Sequence, residues 1–218
     1  VRGVPGTHDI DLGLELIDQL LAPPSTNYLA THPATPFTTQ PAHLALPRFN
    51  KAVDDRKPHD EWHQQALPVD IVILEGWCVG AVPQPEAQLS TTINDLEINH
   101  DPQGHWRSFV NRQLAGSYQK LFGKLDYLVM LKAPTMEAIE NWRWLQEQKL
   151  IAASQDKGEG LMNQAQVKHF IQHYERLTRH LLEEMPARAD MVFHLNEDHE
   201  VAAVSGALAA GMTKGISS

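Results

Sequence analysis

Three short apolar runs constrain the fold more than any other feature. They lie at residues 70–77 (D-I-V-I-L-E-G-W), 125–131 (L-D-Y-L-V-M-L) and 189–195 (A-D-M-V-F-H-L), separated by stretches of helical length and pattern. Parallel strands need crossovers of a dozen or more residues, and the intervening amphipathic stretches supply them. This order predicts an α/β fold, a three-layer parallel sheet with helices on both faces. In the first run the usual alternation vanishes, as expected of a strand buried on both faces. Glu75 and Gly76 close that run at its carboxyl end, where open α/β sheets bind ligands. A carboxylate there can hold Mg²⁺, directly or through water, beside nucleotide phosphates. The same residues also suit an ordinary core strand that ends in a solvated glutamate.

At 218 residues the chain can build one sizeable core, and residues 1–218 read as a single domain. Its 18 basic against 27 acidic side chains leave a net charge of −9, which argues against nucleic acid or an anionic membrane as partner. Cys78 is the only cysteine, so no internal disulfide can form, as suits a reducing cytoplasm. No apolar stretch approaches 18 residues and no signal peptide is visible. The chain opens at Val1 in a turn-like segment, which reads as the downstream part of something longer.

Thr7 to Asp9 offer N-caps for a helix over about 10–21, stopped by Pro23 and Pro24. Residues 23–47 hold six of the 14 prolines and read as an irregular connection with at most short strands. Residues 83–104 also read as irregular, and a helix is expected over 106–122. Thr135 is placed to cap a long helix to about 153, and Asn163 another to about 184. A last short helix is expected near 200–210.

The segments R-G-V-P-G-T-H-D, L-P-R-F-N-K-A-V-D-D-R and D-I-V-I-L-E-G-W, in this order and spacing, resemble the glycerate 3-kinase group of P-loop kinases. That group is related to uridine kinases, phosphoribulokinases and bacterial pantothenate kinases. W-R-S-F-V-N-R-Q-L, Y-Q-K-L-F, L-K-A-P-T-M-E, W-R-W-L-Q-E-Q-K-L and H-Y-E-R-L-T-R-H-L-L-E-E-M-P-A-R-A-D extend the likeness over residues 2–195. The resemblance implies an ATP- and Mg²⁺-dependent kinase that phosphorylates a hydroxyl of a small acidic metabolite such as D-glycerate.

The departures from that pattern are large. None of the 13 glycines begins a G-x-x-x-x-G-K-[ST] phosphate loop, and Gly123-Lys124 lacks the hydroxyl residue. The family's second strand, with its aspartate-rich end, is also missing. Both would precede Val1, so the resemblance implies a sheet without its N-terminal strands and a chain that is inactive on its own. Asn50 stands where the family is expected to carry aspartate.

Site roles come from the resemblance, residue by residue. Glu75 is the expected Mg²⁺ or water ligand. Gly76, Arg143 and Lys149 form the expected nucleotide set, with Arg143 and Lys149 near a lid-like region over 142–160. Arg143 is equally suited to an ion pair with Glu140 or Glu147. Arg2, His8, Arg48, Lys51 and Arg56 flank the acceptor segments, where several cations suit a carboxylate. Asp9 is a candidate to orient the acceptor hydroxyl as well as a helix cap. Arg107 and Asn111, four apart, can share one helical face toward the acceptor or brace the segment, with Trp106 and Phe109 in the core.

Twelve histidines raise the question of a metal, but His59/His63 and His169/His173 read as solvated surface pairs, so no structural metal is expected. Two alternatives stand beside the acid kinase. One is a non-catalytic, kinase-like binder of a ligand or partner, including a homodimer. The other is a kinase for a nucleoside or pantothenate.

Overall fold

The computed structural model describes residues 2–22, 43–51, 53–154 and 160–209. They form two compact units, one of Asp9–Glu75 and one of Val1–His8 with Gly76–Ser218.

In the Asp9–Glu75 unit, helix α1 (Ile10–Leu21) starts where Asp9 Oδ1 accepts the Leu12 N–H at 3.1 Å. Strands β1 (His43–Leu46) and β4 (His63–Ala66) pair antiparallel, with Leu46 opposite His63. Between them β2 (Phe49–Asn50) and β3 (Asp55–Arg56) form a tight hairpin through the left-handed Asp54. The prolines at 23, 24, 33, 36 and 41 lie outside the described residues.

The expected strand over 70–77 is corrected. Residues 71–76 carry no regular structure, and Ile71 and Ile73 are 79% and 86% exposed. A strand exists only through the ladder to its neighbours, and no described strand pairs with this segment. Among the described residues the apolar run lacks the partners that would bury it.

The larger unit holds the main core. Helices α2 (Glu86–Leu89) and α3 (Asp95–His100) occupy the stretch expected to be irregular. Helix α4 (His105–Gln113) leads through a π-helical turn, Leu114–Tyr118, into α5 (Gln119–Phe122). The single helix expected over 106–122 is thus broken, with Gly116 departing from helical geometry. Strand β5 (Val129–Lys132) precedes α6 (Met136–Ser154), whose first turn is capped by Thr135 Oγ1 accepting from Ala138 N at 3.0 Å. Helix α7 (Gln164–Glu184) starts in a full capping box made by Asn163 and Gln166. It buries Val167, Ile171, Leu177 and Leu181 and packs along α6.

Strand β6 (Met191–Leu195) runs parallel to β5, and β7 (Val201–Ser205) returns antiparallel on its other side. Within the stretch near 200–210, expected to be helical, residues 201–205 form this strand instead. Its alanines favour a helix locally, but pairing with β6 satisfies the backbone of both. Gly206 makes the exit possible. Its φ is +107°, and a Cβ there would lie 2.5 Å from the Asp190 carbonyl oxygen.

Of the expected parallel sheet with helices on both faces, the described residues show one part, with β7 antiparallel at its edge. Among the described residues β5 and β6 are the one parallel pair, and Val129 and Leu131 are more than half exposed.

Candidate functional site

The G-V-P-G-T-H segment, residues 3–8, is held from several directions within the larger unit. Val4 and Pro5 are buried, Thr7 Oγ1 accepts from Gly3 N at 2.9 Å and donates to Val4 O at 2.8 Å. Trp77 Nε1 donates to Gly3 O, and the Tyr174 hydroxyl of α7 donates to Arg2 O at 2.7 Å. The two rings meet edge to face at 5.3 Å. Burial raises the Tyr174 phenol, so it remains a donor at neutral pH.

The fourth restraint is Tyr118, which is 2% exposed. Its hydroxyl oxygen accepts the Gly6 N–H at 2.8 Å and lies 2.7 Å from His8 Nδ1. Gly6 has φ +97°, and a Cβ there would meet the Phe109 ring at 2.7 Å. This loop requires glycine for its backbone and for its close approach to α4. His8 itself is exposed at the end of the segment.

Arg107 and Asn111 do share a face of α4, and that face is turned inward. Arg107 is buried, with Nε donating to Leu89 O at 2.6 Å and Nη1 bonded to the Asp101 carbonyl and carboxylate. Asn111 exchanges two hydrogen bonds with the Gln84 backbone. Both therefore hold the stretch before α4 in place. Trp106 is corrected as a core residue: it is 40% exposed and stacks on Phe109.

Arg143 pairs with Glu147, the second of the two partners open to it, at 2.7 Å, and lies over the Phe170 ring. Glu147 is buried and also accepts the Met162 N–H, tying α6 to the start of α7. Lys149 is exposed on α6. A small cavity touched by Val4, Pro5, Asn111, His173 and Arg176 has about 50 Å³, room for a few waters and too little for a metabolite.

In the smaller unit Asp9 is fully engaged. One oxygen caps α1 and the other pairs with Arg56 at 3.0 Å, with both side chains about half exposed. Arg48 and Lys51 are exposed on either side of β2. Glu75 is exposed, and it is a hard oxygen donor of the kind Mg²⁺ accepts singly while keeping most of its waters. The chemistry of that residue fits the ion. Gly76 begins the larger unit and is likewise exposed.

Among the described residues no three His, Cys, Asp or Glu side chains converge as a metal site. His100, His169 and His173 line up edge to face at 6.4 and 5.7 Å. No described helix is long and apolar enough to cross a membrane.

Two charged residues were not singled out from sequence, Glu97 and Arg176. They form a bidentate pair at 2.6 Å between α3 and α7. Tyr118 escaped in the same way, since it stands 112 residues from Gly6 and only folding joins them.

A solved structure of D-glycerate 3-kinase from Cryptococcus neoformans matches at a TM-score of 0.63 over 94% of this chain and 68% of that one, at 24% identity, so the chain has an α/β kinase fold. Sequence relatives narrow this further. The chain is 25% identical over 177 residues to the chloroplastic D-glycerate 3-kinase of Arabidopsis thaliana, and 28% over 180 residues to the uncharacterized kinase mug58 of Schizosaccharomyces pombe. Each match covers 79% of this chain, but only 32% and 56% of those two proteins. No family model matches. These relatives and neighbours are D-glycerate 3-kinase and its kin, and they support placing the chain in the glycerate 3-kinase group.

Proposed function

We propose that this chain belongs to an ATP-dependent kinase that transfers the γ-phosphoryl group to a hydroxyl of a small acid resembling D-glycerate. The observation that carries the proposal is the immobilised stretch over residues 2–8, most of one of the three segments on which the likeness to the group rests, held by Tyr118, Trp77 and Tyr174. Phosphoryl transfer asks a protein mainly for positioned reactants and compensated charge, and a loop fixed at four points meets the first need. Arg48 and Lys51 are the residues assigned to the acceptor carboxylate, which a guanidinium binds in two parallel hydrogen bonds. Glu75 is the residue that would hold Mg²⁺, through water, and the ion would neutralise charge on the phosphates. Gly76 and Lys149 are assigned to the nucleotide. Arg143 joins them only by leaving Glu147.

The test is steady-state kinetics on the protein expressed from its complete reading frame. Arg48→Ala is expected to raise KM for D-glycerate about tenfold, the loss of one charge-assisted contact, and to leave KM for ATP unchanged. An unchanged KM for D-glycerate would remove Arg48 from the acceptor site. Glu75→Gln should weaken the dependence on Mg²⁺, and wild-type behaviour would overturn that role.

A further inference from the structure

The geometry points to Tyr118 as a positioning residue that fixes His8 in the tautomer with its proton on Nε2, so that His8 meets the acceptor as a neutral hydrogen-bond donor. The assignment of the acceptor rests on the proposed function, whereas the tautomer rests on the hydrogen bonds alone.

The Tyr118 hydroxyl oxygen accepts the Gly6 N–H at 2.8 Å, and a backbone N–H can only donate. The phenol has one proton of its own, and burial raises its pKa, so that proton stays. In a side chain only 2% exposed, it needs an acceptor. His8 Nδ1, at 2.7 Å, is the ring nitrogen placed to take it. In the opposite arrangement, with Nδ1–H donating, the phenolic oxygen would accept twice and its own proton would be left unpaired in a buried place. The two rings cross edge to face at 5.9 Å and 69°, which keeps the hydroxyl near the edge of the imidazole.

With Nδ1 a lone-pair acceptor, the neutral imidazole carries its proton on Nε2. Partial desolvation of the ring, on the side packed toward Tyr118, also lowers the His8 pKa, which favours the neutral form. His8 thus has a donor to offer to a carboxylate or hydroxyl oxygen, and its basic nitrogen is already taken. The consequence is specific. His8 does not remove the acceptor's hydroxyl proton; it holds an oxygen.

The experiment is a two-bond ¹H–¹⁵N correlation spectrum of the histidine rings in the ¹⁵N-labelled full-length protein at neutral pH, then titration with D-glycerate. Expected is an Nε2–H tautomer for His8, a move toward a tautomer mixture in Tyr118→Phe, and a shift of the His8 ring signals on adding D-glycerate. An Nδ1–H tautomer or an even mixture in the wild-type protein overturns the inference, whether or not Tyr118→Phe folds. In kinetics, Tyr118→Phe should raise KM for D-glycerate about fivefold and leave KM for ATP unchanged, and His8→Gln, which keeps a side-chain N–H, should preserve more acceptor affinity than His8→Ala. Equal losses in His8→Gln and His8→Ala would overturn the donor role. If D-glycerate is not bound while the Nε2–H tautomer is observed, the function is refuted and the role of Tyr118 in fixing the ring stands.

Discussion

Burial alone would push the Glu147 carboxyl up, yet the Met162 N–H and the Arg143 guanidinium together hold it below the usual 4.5. A depressed carboxylate contributes stability that is present above its unfolded value, near 4.5, and is lost as pH falls through the folded value. The stability difference between wild type and Glu147→Gln should therefore be largest above about pH 4.5 and shrink below it. Urea titrations at several pH values check this, and a difference constant with pH would refute it. Arg107 makes a second case. It is a buried cation whose partners are Asp101 and two carbonyls, so Arg107→Ala should cost about 3 kcal/mol by leaving Asp101 buried without its counter-charge. A loss of acceptor affinity with stability intact would instead return Arg107 to the acceptor site. The sequence shows that Arg107 and Asn111 share a face, but the direction of that face depends on Leu89, Gln84 and Asp101, which no local pattern encodes.

Elements were legible where their ends carry chemical signals. Asp9, Thr135 and Asn163 each cap the helix expected of them, because a side-chain oxygen beside free N–H groups is a local device. Asn163→Ala should lower thermal stability by about 1 kcal/mol, read from a melt followed by helical ellipticity; no change would mean that α7 is held by packing alone. Strands were less legible, since a strand is defined by its neighbours. Val201 to Ser205 looked helical and became β7 by pairing with β6, whereas 70–77 looked like a buried strand and has no ladder among the described residues. The short helices α2 and α3 were hidden by the polar composition around them.

At the scale of the whole chain, Ile71, Ile73, Val129 and Leu131 are apolar side chains left open to solvent, in each case within a run whose sequence reads as buried strand. Apolar surface on edge strands and on unladdered extended segments promotes association between chains. The 218-residue chain by itself should associate at micromolar concentration, and Ile73→Lys with Leu131→Lys should shift it toward monomer in size-exclusion chromatography with light scattering. A clean monomer in both forms would contradict this. The family likeness was legible because it rests on segments of sequence in register, and the α/β kinase fold agrees with it.

The most direct test of the central claim is ADP release by the full-length protein supplied with Mg²⁺, ATP and, in turn, D-glycerate, uridine and pantothenate. Turnover with D-glycerate is expected to be well above that with the other two. Turnover with uridine or pantothenate alone, or with none of the three, would contradict it.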